Sequence, residues 1–280
     1  MPKLRRFCVE NFKLVMRRLG ADIQRYPRPA EENWKQTLFR SLLPDDLFEH
    51  RPKTDASIDF LMYCATNSGV SNAQLFQDLF VVWCHREKKQ GFFVEFGATD
   101  GVHLSNSRLL ETQFEWQGIL AEPARCWHDS LRQNRKCIID TRCVFDRSGL
   151  SVEFNEVATA ELSTVNSFSD QDHHSGRRKN GTQYAVQTVT LADLLREHNA
   201  PRDIGYLSID TEGSELDILR AFDFTSYRFD VITVEHNFTV NREVIAALLR
   251  RNGYVRVFTE FSHWDDWYLH ECVVSRLRLC

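Results

Sequence analysis

The sequence predicts an α/β fold in which helices cover both faces of a mostly parallel sheet. Three observations predict it. Apolar runs of strand length at 92–96, 118–122, 138–145, 184–189, 204–209 and 230–234 alternate with segments of helical period. The first run enters a glycine turn and then a helical pattern over about 105–115, a strand–turn–helix unit. Glu95, Glu122, Asp146, Asp210 and Glu235 each fall at the carboxyl end of a strand, where open α/β sheets place their ligand crevice.

The run Phe92-Phe93-Val94-Glu95-Phe96 leads into Gly97-Ala98-Thr99-Asp100-Gly101. Gly97 and Gly101 let the backbone turn sharply and approach a ligand closely. Their spacing is G-x-x-x-G, not the G-x-G-x-x-G of dinucleotide binders. Glu95 and Asp100 flank the turn and would repel a pyrophosphate by a few kcal/mol at an effective dielectric of roughly 20. A ligand carrying an ammonium and a sulfonium would be attracted, which describes S-adenosylmethionine and not NAD. The next strand, Gly118-Ile119-Leu120-Ala121-Glu122-Pro123, ends in an acid about 25 residues past the turn. A carboxylate there can accept both ribose hydroxyls of an adenosine. The bland alternative for Glu122 is a strand-end acid facing water.

The segment before this core divides in two. Residues 4–19 place Leu4, Phe7, Phe12, Val15 and Leu19 on one helical face, with Lys3, Arg5, Arg6, Lys13, Arg17 and Arg18 around it. Such a basic amphipathic helix suits an anionic membrane surface or simply packs on its own domain. Prolines at 27, 29, 44 and 52 then mark a linker, with a short helix at 32–43 and a short ordered segment at 58–65. The expected division is 1–65 for this extension and 66–280 for the main domain.

Ser71-Asn72-Ala73-Gln74 has the form of a capping box before Phe76, Leu79, Phe80 and Trp83 at helical spacing. A helix is expected over 127–135. The third strand, 138–145, ends at Asp146, placed either against an adenine or in the turn before Ser148-Gly149. Residues 151–180 are polar and read as a long, mobile loop containing His173, His174 and the basic run Arg177-Arg178-Lys179. Thr190 opens a helix by a capping box, and Ser214 and Asn241 cap two more, the last ending at Gly253. Residues 254–261 and 267–270 finish the chain as antiparallel strands.

Composition bounds the function classes. A net charge of −4 implies no strongly basic surface and argues against a nucleic-acid partner. Eight scattered cysteines, with no C-x-x-C, read as reduced thiols of a cytoplasmic protein, one able to sit peripherally at the inner membrane face through its first helix. No apolar run approaches a membrane span.

Three segments together resemble one family. Phe93 to Gly101, Gly118 to Pro123, and Ile209-Asp210-Thr211-Glu212-Gly213-Ser214-Glu215 are similar to the FkbM-type class I methyltransferases. The resemblance covers roughly 71–270, and D-x-E-G-x-E before a helix is its most specific mark. It implies a Rossmann-like, seven-stranded sheet and S-adenosylmethionine as methyl donor. The implied acceptor is a hydroxyl on a glycan, polysaccharide precursor or natural product. Donor contacts are then expected from Glu95, Gly97, Asp100, Gly101, Glu122 and Asp146.

A sugar hydroxyl needs a base. His236 is the first choice because imidazole titrates near neutral pH, and Asp210 is the second. Glu212 orients the acceptor or holds the helix turn. A variant route places Mg²⁺ between Asp210, Glu235 and Asn237, ranked below the metal-free one. The rival classes are a nucleotide-dependent oxidoreductase, disfavoured by the glycine spacing, and a non-catalytic module on the same fold.

Overall fold

The computed structural model describes residues 54–170, 174–277 and 279. The helices expected at 4–19 and 32–43, and His173, lie outside these residues. The elements in chain order are α1 (Asp55–Asn67), α2 (Gln77–Cys84), β1 (Phe92–Phe96), α3 (Arg108–Phe114), β2 (Gln117–Ala121) and α4 (His128–Asn134). Then come β3 (Ile138–Asp140), β4 (Cys143–Val144), β5 (Ser151–Glu156), β6 (Thr164–Val165), β7 (Thr182–Val189) and α5 (Leu191–Glu197). The chain closes with β8 (Asp203–Ile209), α6 (Glu215–Ala221), β9 (Arg228–Glu235), α7 (Asn241–Arg251), β10 (Tyr254–Val257), β11 (Asp265–His270) and α8 (Glu271–Leu277).

The main sheet has seven strands in the order β10-β11-β9-β8-β1-β2-β3. All run parallel except β11, which pairs antiparallel with both its neighbours. This is the expected mostly parallel seven-stranded sheet. The strand order reverses at β1, whose neighbours β2 and β8 lie on either side, so the crevice opens at the carboxyl ends of β1 and β8.

Strand alternation divides the core into two layers. Phe93 and Tyr206 point into one, with Phe60, Phe80, Phe258 and Trp267. Val94, Phe96, Leu207 and Ile209 point into the other, with Leu194, Leu219 and Leu249 from α5, α6 and α7. In the first layer Phe60 of α1 stacks on Phe258 with ring centroids 5.5 Å apart, and Phe80 stacks on Trp267 at 4.7 Å. Helix α1 therefore runs across residue 65 and is bound into the same core as the sheet.

Three expectations are corrected. The box at 71–74 does not start a helix there. Asp78 collects that segment, accepting from Ser71 Oγ at 2.6 Å and Asn72 N at 2.9 Å, and α2 starts at Gln77. The strand expected over 138–145 breaks at Asp140, whose carboxylate takes the backbone N–H of Arg142 at 2.9 Å together with its guanidinium. Cys143–Val144 then pairs with β7 in a second sheet.

The segment expected as a mobile loop over 151–180 instead contributes two strands, β5 and β6, to that four-stranded sheet, β4-β7-β5-β6. Strand β5 pairs antiparallel with β7, placing Val152 opposite Val186 and Phe154 opposite Tyr184. A small core of Cys143, Phe154, Val165, Phe168 and Val186 closes beneath it. Its apolar residues are too sparse to stand out one by one, but they alternate in register with a partner strand about 30 residues away.

Among the described residues no helix is long and apolar enough to cross a membrane. The six described cysteines are free thiols. Phe60→Ala should lower unfolding free energy by about 3–5 kcal/mol, the usual cost of emptying a buried aromatic site. Urea denaturation reads it, and a loss under about 1 kcal/mol would mean that α1 is only an appendage.

Candidate active site

Gly97 ends β1 with φ +72, and a Cβ there would lie 2.0 Å from the backbone carbonyl oxygen of Asp210. The ends of β1 and β8 thus meet with no room for a side chain between them. Glu95 is 2% exposed and holds the following segment by accepting from Asn106 N at 2.7 Å, Ser105 Oγ at 3.2 Å and Ser107 Oγ. Buried Arg135 backs this latch. It donates to Ser105 Oγ, Ser107 Oγ and the Gly101 carbonyl, with Glu95 at 3.9 Å. Burial raises the Glu95 pKa, and the Arg135 charge with these hydrogen bonds opposes the rise.

The turn itself is shaped by Asp100 and Gly101. Asp100 Oδ1 accepts from Val102 N and His103 N, both at 2.8 Å. Gly101 has φ +76, and a Cβ there would meet Arg135 Cγ at 2.6 Å. Neither lines the cavity at the strand ends, whereas Glu95, Gly97, Thr99 and Glu122 do. Glu122 directs one oxygen to Thr99 N and the other to Ala124 N, each at 2.8 Å. Burial pushes its carboxyl up to about 7, against the pull of those two amides.

On the other side of the crevice stand Asp210, Glu212, Glu235 and Asp265. Oxygens of Asp210, Glu212 and Glu235 lie within 4.8 Å of one another. Burial raises Asp210 to about 7, with Glu215 and Glu95 adding repulsion, and burial with Asp210 raises Glu235. Within the segment Asp210-Thr211-Glu212-Gly213-Ser214-Glu215 the acids differ in what they hold. Glu215 Oε1 accepts from Thr211 N and Gly213 N at 3.0 Å and fixes the helix entry. Glu212, at φ +59, faces the cavity and pairs with Arg178 Nη2 at 2.6 Å.

Arg178 was legible only as one of a basic run. Its side chain is fully buried, its Nε donates to the Leu162 carbonyl at 2.8 Å, and it ties the second sheet to the β8 end. Thr164 Oγ1 adds a hydrogen bond to the Glu212 carbonyl at 2.9 Å. Asp265 and Gln77 have no mark at all in the sequence. Asp265 opens β11, lines the cavity and receives Gln77 Nε2 at 2.7 Å. Burial, then Asp210, pushes its carboxyl up to about 8. No local signal could have found either residue, because each reaches the site only through tertiary packing.

Two further predicted site residues, His236 and Asp146, lie off the cavity wall. His236 has both ring nitrogens engaged: Nδ1 accepts from Phe238 N at 3.0 Å, so Nε2 carries the proton and donates to the Asp265 carbonyl at 3.1 Å. Burial lowers its pKa to about 4 against the pull of Asp266. It does not line the cavity, and its geometry is that of a turn-holding imidazole rather than a base. Asp146 lies past β4, half-buried and 3.7 Å from Arg147 Nε, away from the cavity; Cys143 and Val144 occupy that part of the wall. Asn237, expected beside a metal, directs its Nδ2 donor to Glu212 at 3.4 Å.

The cavity holds about 360 Å³, the scale of a small-molecule site. A model of the methyltransferase FkbM domain matches residues 95–273. The structure of an FkbM methyltransferase from Methylobacillus flagellatus aligns at 14% identity and a TM-score of 0.40, covering 84% of this chain and 58% of that one. A precorrin-6y C5,15-methyltransferase from Geobacter metallireducens aligns at 10% identity and a TM-score of 0.35, covering 64% of this chain and 71% of that one. No protein with a curated description matches the sequence.

Arg178→Ala should destabilise the fold by about 3–5 kcal/mol, because it strands a buried carboxylate. The double change Arg178→Met with Glu212→Met should recover most of that loss in urea denaturation. No recovery would assign the Arg178 contribution to its other contacts.

Proposed function

This chain belongs to the FkbM methyltransferase family, and on that premise we propose that it transfers a methyl group from S-adenosylmethionine to a hydroxyl oxygen. The observation that carries the reading is the cavity's charge: among the described residues seven carboxylates line it, with a single arginine and no lysine. Burial raises several of these carboxyls above the ordinary carboxylate range, as expected for acids that await a cation. The residues fit such a donor. Gly97 lines the cavity where the ends of β1 and β8 come together, and Glu122 keeps acceptor lone pairs on both oxygens for a ribose.

When bound, the donor supplies a methyl group on a sulfonium, and the protein's share is to orient the acceptor and take its proton. Asp210 is the base in this reading. It lines the cavity at the end of β8, beside the donor turn, and its raised pKa brings it close to the proton affinity wanted near neutral pH. Glu235 next to it discourages double ionisation, so the pair can hold one proton and yield it as a cation enters. Glu212, fixed by Arg178, is placed to accept a hydrogen bond from the acceptor. An oxyanion held among these acids would be repelled, so proton removal accompanies methyl transfer rather than preceding it.

Calorimetry with S-adenosylhomocysteine beside NADH tests the donor class, and binding of NADH alone would overturn the reading. Glu122→Ala should weaken S-adenosylhomocysteine binding by at least about 1 kcal/mol through lost hydrogen bonds to a charged group. Asp210→Asn should lower turnover by roughly 10²-fold or more while the inhibitor still binds. The base must be ionised, so kcat/KM should fall as pH drops below about 7 in the native enzyme. A profile flat from about pH 5 to 8 would move the base elsewhere.

A further inference from the structure

The accessible part of the cavity wall differs in chemistry from its buried acids. Phe238 and Trp264 line it, and Phe238 is 61% exposed. That exposure is built. Asn237 and Phe238 sit consecutively at φ 43 and 56, a left-handed backbone that side chains other than glycine rarely adopt. The turn is held by the bond from Phe238 N to buried His236, by Thr239 N on the His236 carbonyl at 2.8 Å, and by Asn237 N on the Trp264 carbonyl at 3.2 Å. The displaced imidazole thus has a role, which is to present an aromatic ring at the cavity.

Arg177 comes from a different element, the 3-10 turn Ser175–Arg178. It is the one lysine or arginine among the described lining residues, and its guanidinium has no hydrogen bond or ion pair with any described residue. Its backbone is fixed all the same. The next residue is buried Arg178, paired with Glu212, and its carbonyl accepts from Asn155 Nδ2 at 2.9 Å. This holds the Arg177 backbone next to the residue that grips Glu212 after β8, the half of the cavity assigned to the acceptor.

We infer that the acceptor is a hydroxyl-bearing ring that carries a carboxylate or phosphate, seated against Phe238 and Trp264 with its anionic group on Arg177. The inference rests on the methyl-transfer reading of the same cavity. Aromatic surfaces bury the C–H faces of a ring, and a guanidinium fork matches a carboxylate or phosphate in two parallel hydrogen bonds. A wall of acids would otherwise repel such a ligand, so this cation supplies selection that the rest of the wall does not.

The test uses the full chain loaded with S-adenosylhomocysteine and titrated by NMR with glucuronate, glucose 6-phosphate and glucose. At least one acidic sugar should bind about tenfold more tightly than glucose, and which one does so separates carboxylate from phosphate. Arg177→Gln should abolish that preference, and Phe238→Ala should weaken the preferred sugar about fivefold or more. Affinity for S-adenosylhomocysteine should be unchanged in both variants, which also reports that they fold. Equal binding of all three sugars, or no binding of either acidic one, overturns the inference and leaves methyl transfer standing. A loss of S-adenosylhomocysteine affinity in Arg177→Gln also overturns it, by moving Arg177 to the donor. Wild-type protein that binds no S-adenosylhomocysteine defeats the methyl-transfer reading and this inference together.

Discussion

The site depends on the contact between Gly97 and the carbonyl of Asp210. With a Cβ position only 2.0 Å from that oxygen, any other residue at 97 would push the ends of β1 and β8 apart. That separation would open the crevice between the donor turn and the acids after β8. Several carboxylates on the cavity wall are drawn together by this closeness, and the fold accepts the resulting repulsion because each strand is anchored elsewhere along its length.

Gathering acids costs stability unless something offsets it, and the molecule uses three devices. Backbone amides serve Glu122 and Glu215. Buried guanidinium groups serve Glu95 and Glu212, from Arg135 and Arg178 respectively. The remaining acids, Asp210, Glu235 and Asp265, keep raised proton affinities under burial. Those without a fixed cation are the ones with most to gain from a positively charged ligand.

The second sheet belongs to the same arrangement of charge. It carries Arg178 to Glu212 and sets Arg177 on the cavity wall, so one short turn supplies both a structural and an accessible cation. Its order comes from β5 meeting β7 across a small core, a long-range pairing. Residues that read as a solvated loop in isolation thereby become part of the site.

How far the chain could be read without its structure follows from the range of the forces involved. The ends of β1, β2, β8 and β9, the glycine turn, the Thr190 cap and the main sheet were legible, because hydrophobic period and capping act within a few residues. The same local signals put Glu95, Glu122 and Asp210 at strand ends, where the cavity is found. Tertiary structure alone decided which nitrogen His236 has free (neither), where Asp146 points, that Asp140 ends the third strand, and that Gln77, Asp265 and Arg178 converge. Most of those outcomes are set by a partner distant in sequence: the Asp265 carbonyl for His236, Glu212 for Arg178, β7 for residues 143–144. By itself the sequence determined the alternating strands and helices of the main sheet and placed Glu95, Glu122, Asp210 and Glu235 at strand ends, since both are written in neighbouring residues. Which acids are buried, paired or available was decided by packing, because desolvation and charge pairing depend on atoms that only the folded chain brings near.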